Sequence, residues 1–185
     1  VIIFAPYFVE YLFYADNHGG KCTIIPAVDG FLPDMETFER SINNSTKIVL
    51  INSPNNPSGV MYSAQLLAQI SEIIRRKEQE FDRPIFIISD EPYRKILFDD
   101  LEYPPIFHHH VRSIVVTSHS KDLALPGERI GFIAVHPQYK DKHELLEALA
   151  FCNRTLGFVN APALMQTIIQ KLQSVTIDVG VYQAK

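Results

Sequence analysis

The sequence has few of the features that mark secreted, membrane or nucleic-acid-binding proteins. It contains only two cysteines, Cys22 and Cys152, which indicates a reducing compartment without a disulfide framework, so we expect a cytoplasmic location. Its net charge is −4, so no excess of basic residues predicts a nucleic-acid partner. No apolar run approaches the length of a membrane-spanning helix, so no membrane association is expected.

Apolar, strand-like runs alternate along the chain with helical patterns. Several runs are apolar throughout, which is typical of strands that helices bury on both faces. The predicted strands are 1–5, 21–26, 47–52, 84–89, 113–117 and 129–135. This alternation predicts a three-layer α/β/α fold with a mostly parallel sheet. Only a short loop precedes the last strand, which is therefore predicted to pair antiparallel.

Three apolar faces at helical spacing predict helices between or after these strands. The first helix is predicted to start after Ser63 as its N-cap, and the last starts near Pro162. The faces consist of Leu66, Leu67, Ile70, Ile73 and Ile74; of Leu145, Leu146 and Leu149; and of Leu164, Met165, Ile168, Ile169 and Leu172.

The segment from Ser118 to Arg129 carries the strongest chemical signal. Lys121 comes directly after Ser118 and Ser120, at the end of a predicted strand, and Arg129 follows eight residues later. Desolvation of a lysine on such a turn produces a nucleophilic amine. Serine hydroxyls and a guanidinium are suitable donors to a phosphate group. Together they indicate a site for pyridoxal 5'-phosphate (PLP), bound as a Schiff base.

This segment resembles the lysine signature of the class I/II PLP-dependent aminotransferases, which are aspartate aminotransferase-like enzymes of fold type I. The signature, Ser-x-Ser-Lys followed by Gly-x-Arg-x-Gly, is matched at Ser118, Ser120, Lys121, Gly127, Arg129 and Gly131. Three further segments resemble motifs of the same family: Ala5–Phe8, Ser53–Gly59 and Ser89–Tyr93. The second of these differs from the family pattern at Ser53 and Ser58 but keeps Asn56.

The resemblance implies three catalytic residues, Lys121, Asp90 and Tyr93. Lys121 would form the Schiff base and act as the general base toward the substrate Cα proton. Asp90 would pair with the pyridinium nitrogen of PLP, which keeps the ring an electron acceptor. Tyr93 would bind the phenolate oxygen of the ring.

The predicted cofactor-binding set is completed by residues with supporting roles. Asn56 would donate to the same phenolate oxygen, and Phe8 would stack on the ring unless it is a core residue. Ser118, Ser120 and Arg129 would bind the phosphate, although the Ser120 hydroxyl could instead cap the turn. The apolar neighbours of Arg129 indicate that its side chain has a partner.

No metal site is predicted. Adjacent side chains on an extended chain point in opposite directions, so the run His108–His110 cannot bind one ion and is interpreted as a surface loop. Cys22 and Cys152 are predicted to be small core residues.

The resemblance implies a homodimeric transferase of amino-acid metabolism, in a biosynthetic process, that moves an amino group between an L-amino acid and a 2-oxo acid through the Lys121 Schiff base. Two alternatives stay open: a PLP-dependent C–S β-lyase, and the aminotransferase-like domain of a transcription regulator. Because family members are longer, residues 1–185 are expected to be part of the large, PLP-binding domain. The N-terminal arm and the C-terminal small domain would be absent, and this chain alone would be inactive.

Overall fold

A six-stranded sheet forms the centre of the computed structural model, which describes residues 1–175 and residue 180. The strands are β1 (Ile2–Phe4), β2 (Thr23–Ile25), β3 (Ile48–Asn52), β4 (Phe86–Asp90), β5 (Ser113–Ser118) and β6 (Gly131–Val135). Their order in the sheet is β2-β1-β3-β4-β5-β6. All neighbouring pairs are parallel except β5 and β6, which are antiparallel. The predicted strands and the single antiparallel member are therefore confirmed.

Helices surround this sheet, as predicted for the fold. They are α1 (Glu10–Asp16), α2 (Met35–Ser41), α3 (Ala64–Phe81), the single-turn α4 (His119–Asp122), α5 (Lys142–Thr155) and α6 (Ala163–Leu172). Helix α4 belongs to the turn that follows β5, which is where the sequence places its candidate lysine.

Helix α3 is held to the sheet by the apolar face that the sequence predicts. Its first turn is capped by Ser63, whose Oγ accepts a hydrogen bond of 3.1 Å from the backbone N–H of Leu66. The five predicted apolar residues of α3 are buried and belong to the main core, together with Val49 of β3 and Ile87 of β4.

Helices α5 and α6 form where predicted, but their apolar faces are not buried. Every residue of α5 is at least partly exposed, and in α6 only Met165 is buried. Leu164 of α6 is 71% exposed. Cys152 on α5 is exposed and Cys22 is partly exposed, so the prediction that both cysteines are core residues is wrong. Cys152 lies in the second half of α5, where residues 151–155 are all exposed.

The histidine run also differs from its interpretation as a surface loop. It follows a short 3-10 turn, Ile106–His108, and His110 is buried with its Nε2 donating to the carbonyl oxygen of Ile85 at 3.2 Å. Burial lowers the pKa of His110 to about 4. Among the residues described, no three histidine, cysteine, aspartate or glutamate side chains are grouped so that they could hold a metal ion. No helix in the same residues is long and apolar enough to cross a membrane.

Candidate active site

Three predicted site residues lie at or just beyond the carboxyl ends of neighbouring parallel strands. Asp90 ends β4, Asn56 follows β3, and Lys121 follows β5. Because β3, β4 and β5 are adjacent in the sheet, these three ends share one edge. That edge is where ligands bind in open α/β sheets.

Tyr93 connects two of these strand ends. The Nδ2 of Asn56 donates a hydrogen bond of 3.2 Å to the hydroxyl oxygen of Tyr93. From the other side, the Nζ of Lys121 lies 5.8 Å from the centroid of the Tyr93 ring, within range of a cation–π contact. The structure therefore brings together Asn56, Tyr93 and Lys121, whose side chains are exposed or half-buried.

Asn52, the last residue of β3, supports this arrangement with two hydrogen bonds, and its role was not predicted from the sequence. Its Nδ2 donates to the backbone carbonyl of Asp90 at 3.0 Å, and its Oδ1 accepts from the backbone N–H of Asn56 at 3.2 Å. One amide side chain thus sets the loop after β3 against the end of β4. No sequence motif marked Asn52, because its role depends on strand register.

The carboxylate of Asp90 has a partner that the sequence also did not reveal. The hydroxyl of Tyr11, a buried residue of α1, donates to Oδ2 of Asp90. Burial raises the pKa of Asp90, and the hydrogen bond from Tyr11 partly opposes that rise. Burial and the charge of Asp90 both raise the pKa of Tyr11, so the tyrosine remains a donor.

Phe8 lies beside this pair and is not a core residue. Its ring centroid is 5.6 Å from that of Tyr11, with the rings nearly perpendicular, and 45% of Phe8 is exposed. Phe8 is thereby connected through Tyr11 to Asp90. The position of Tyr11 three residues after Phe8, at the start of a helix, is the one sequence signal that could have pointed to it.

The two ends of the turn that carries Lys121 are held together by the pairing of β5 with β6. Ser118 of β5 is in register with Gly131 of β6, and the N–H of His119 donates to the carbonyl of Ile130 at 3.0 Å. A side chain at position 131 would collide with the carbonyl oxygen of Thr117, so this close approach requires glycine.

The three predicted phosphate ligands lie at the end of β5 and in the turn that follows it. Ser118 and Ser120 are half-buried at the start of α4. Arg129 adopts a left-handed backbone conformation with φ 50°, and its Nη1 donates to the carbonyl of Pro126 at 2.7 Å. Arg129 thus has the partner that its apolar neighbours predicted, and its side chain is exposed, as are those of Phe132 and Ile133. A role for all three in phosphate binding stays a prediction.

Comparison with known proteins identifies the family. A family model for the class I and II aminotransferases matches residues 1–178. The chain belongs to this family. Aminotransferases of this family are PLP-dependent.

Individual aminotransferases resemble the chain over most of its length. It is 33% identical over 146 residues to a probable aspartate aminotransferase of Methanocaldococcus jannaschii, and this match covers 79% of this chain and 37% of that protein. The crystal structure of an aminotransferase from Eubacterium rectale is 42% identical and superimposes with a TM-score of 0.93, over 99% of this chain and 46% of that one. A PLP-dependent aminotransferase from Streptococcus suis is 28% identical, with a TM-score of 0.76, over 92% of this chain and 42% of that one. The chain thus spans less than half the length of these aminotransferases.

Proposed function

We propose that this chain is the cofactor-binding part of an aminotransferase that exchanges an amino group between an L-amino acid and a 2-oxo acid. The observation that carries the proposal is the convergence of Lys121, Tyr93 and Asn56 from separate loops at one edge of the sheet. Asp90 ends the strand between them, with its carboxylate oriented by Tyr11.

The chemistry of these groups fits PLP. An exposed primary amine at Lys121 offers a point of covalent attachment, and its Nζ is the atom that would take the proton from the substrate Cα. Asp90 would face the pyridinium nitrogen, since a cationic partner offsets the burial that raises the pKa of this carboxyl group. When bound, PLP supplies the electron sink that the reaction needs.

The remaining side chains would hold the cofactor in place. Tyr93 and Asn56 carry hydrogen-bond donors next to each other, which suits the oxygen substituent of the ring. Phe8 offers an exposed aromatic face next to Tyr11 for stacking. Ser118, Ser120 and Arg129 would bind the phosphate, which requires Arg129 to exchange its bond to Pro126 for one to the ligand.

The same proposal includes the organisation of the whole protein. Residues 1–185 would be part of the large domain, since the chain covers 46% of the Eubacterium rectale aminotransferase. The full-length protein would be a cytoplasmic homodimer, as its resemblance to the family implies. The substrate carboxylate would then be bound partly by segments outside this chain. We therefore expect the 185-residue chain alone to attach PLP weakly and to be inactive as a transaminase.

Covalent trapping tests the central claim. The purified chain is incubated with saturating PLP, reduced with borohydride and mapped by peptide mass spectrometry, and the adduct is expected on Lys121. Lys121→Ala should abolish that adduct. Lys47→Ala is the matched control, because Lys47 is an exposed lysine just before β3, at the opposite edge of the sheet. A wild-type adduct mainly on another lysine would overturn the assignment of Lys121.

Product analysis of the full-length protein tests the reaction class. Amino-group transfer that depends on an added 2-oxo acid supports the proposal, whereas release of ammonia and a keto acid without an acceptor would identify a lyase. Asp90→Ala should lower kcat far more than it weakens PLP binding, because the carboxylate acts on the transition state. Near-normal transamination by this variant would contradict the role of Asp90.

A further inference from the structure

Two buried polar side chains lie under the turn that carries Lys121. His119 and Asp122 are three residues apart in α4, so they share one face of this single turn, and both are less than 10% exposed. The Nδ1 of His119 lies 3.2 Å from both carboxylate oxygens of Asp122. Because a carboxylate only accepts, the histidine donates. Lys121 is exposed, so the buried face of α4 is separate from the amine.

Lys95 joins this pair from a different loop. Its Nζ lies 3.4 Å from Oδ2 of Asp122, and Lys95 follows Tyr93 by two residues in the segment after β4. The carboxylate of Asp122 therefore links the segment that carries Tyr93 to the turn that carries Lys121. A buried carboxylate that loses its partners is strongly destabilised, so this link is energetically significant.

Two further contacts hold the same turn in place. The His119 ring lies 6.2 Å from the Phe132 ring of β6, and the carbonyl of His119 accepts from the N–H of Leu125 at 3.2 Å. None of the roles assigned above to the candidate active site uses His119, Asp122 or Lys95. Their location between the two loops indicates that they fix these loops relative to each other.

We propose that His119, Asp122 and Lys95 are positioning residues that hold the Lys121 amine against Tyr93. The value of that position for catalysis rests on the proposed function. The positioning itself does not, since it concerns contacts within the chain. If Asp122 lost its partners, α4 and the segment after Tyr93 would move independently, and the amine would leave the ring face.

Hydrogen exchange on the cofactor-free chain tests the positioning directly. Local opening of α4 is read from peptides that cover residues 119–125, and global opening from peptides of β3. Asp122→Leu and His119→Leu should each raise exchange in 119–125 by about tenfold, because a buried partner is left unsatisfied. Exchange in β3 should stay within about twofold of wild type, whereas a general structural role would raise both.

Two further variants make the test specific. His119→Asn keeps an N–H donor near the position of Nδ1 and should restore exchange to within about twofold of wild type. Lys95→Met should raise exchange in 119–125 by about threefold, less than the buried substitutions because Lys95 is half exposed. Lys140→Met is the control, since Lys140 is exposed and remote from α4 in the sequence. If a buried variant does not fold, Lys95→Met decides the question.

Borohydride trapping with PLP then connects the positioning to the site. Asp122→Leu and His119→Leu should lower the fraction of Lys121 trapped by about tenfold, with His119→Asn close to wild type. Unchanged exchange in 119–125 and unchanged trapping in the folded variants would overturn the proposal. If the wild-type chain itself gives no adduct on Lys121, the proposed function fails, and the exchange data still decide the positioning.

Discussion

Helix α3, before β4, and helices α5 and α6, after it, differ in how much of their surface is buried. On one side, α3 buries six residues and carries a side-chain N-cap at Ser63. On the other, α5 buries none, α6 buries only Met165, and the N-cap residue of α5, Asp141, makes no capping bond. The β3–α3–β4 region (residues 48–90) therefore supplies most of the core. The β6–α5–α6 region (residues 131–172) contributes little to it within the described residues.

The candidate active site joins the β3–α3–β4 region to the turn that precedes the β6–α5–α6 region. Asn56 and Asp90 belong to the well-covered β3–α3–β4 region, whereas Lys121 and Arg129 belong to the turn that leads into β6. Lys121, the proposed attachment point for PLP, thus depends on local anchors, while Asn56 and Asp90, which would orient the cofactor ring, are fixed by the core. Four sets of variants test how firmly the different parts of the molecule are held.

The largest effect is expected from the same truncation in the two helices. Leu67 of α3 is 4% exposed, so Leu67→Ala should lower the free energy of unfolding by about 2–5 kcal/mol through lost contacts and a cavity. Leu146 of α5 is 42% exposed, and Leu146→Ala should cost less than about 1 kcal/mol. Urea unfolding followed by circular dichroism measures both. Equal losses would show that α5 is held as firmly as α3.

The second effect is a pH dependence that originates at His110, packed against Ile85 just before β4. Its pKa is lowered to about 4, whereas an unfolded histidine titrates near 6.5. Between these values the unfolded state binds more protons, so stability falls as pH drops from about 6.5 to about 4, by roughly 3 kcal/mol.

Comparison with His110→Gln isolates this contribution. The raised pKa values of Asp90 and Glu91 give a slope of opposite sign, so the informative quantity is the difference between wild type and variant. Urea midpoints measured from pH 7.5 down to pH 4.5 should fall less steeply for the variant. Parallel curves for the two proteins would exclude His110 as the source.

The third effect concerns the contact between α1 and β4. Tyr11→Phe removes the donor to Asp90, which should raise the pKa of Asp90 further and lower stability by roughly 1.5 kcal/mol at pH 7. An NMR titration of the Asp90 carboxyl group and urea unfolding measure the two quantities. Tyr14→Phe, on the same helix but 59% exposed, should change stability by less than about 0.5 kcal/mol. An unchanged Asp90 titration in Tyr11→Phe would refute the contact.

The smallest effect compares the starts of α3 and α5. Ser63→Ala removes a capping bond and should cost about 1 kcal/mol. Asp141→Ala should change stability by no more than about 0.5 kcal/mol, because Asp141 makes no such bond. A thermal unfolding midpoint for each variant is sufficient, and a larger loss for Asp141→Ala would reverse the ranking of the two helices.

The sequence predicted the strands and helices of the molecule better than the contacts between them. Apolar runs and the short link before β6 predicted all six strands and their directions, because those features follow from local pattern and loop length. Periodicity also located α5 and α6, but it cannot show whether a neighbouring surface covers them. The exposure of Cys152 and the burial of His110 were misjudged for that reason.

For the candidate site, the family motifs identified Asn56, Asp90 and Lys121, and the structure has all three at one edge of the sheet. The contact between Tyr11 and Asp90 joins residues 79 positions apart, so no local pattern contains it. Asn52 was missed for a similar reason, since its role follows from the register of β3 against β4. The exposure of Arg129 depends on how β6 is covered, which composition does not report.

Gly131 has a consequence for any large-scale mutational survey of this protein. It carries no functional group, yet every side chain placed there would push against the carbonyl of Thr117 and displace the strand that ends at Ser118. Such a survey would score position 131 as intolerant and rank it beside Lys121, although it performs no chemistry. Loss of activity at this position would result from a displaced backbone. It would differ from a catalytic defect because the structural change would also be present in the cofactor-free chain.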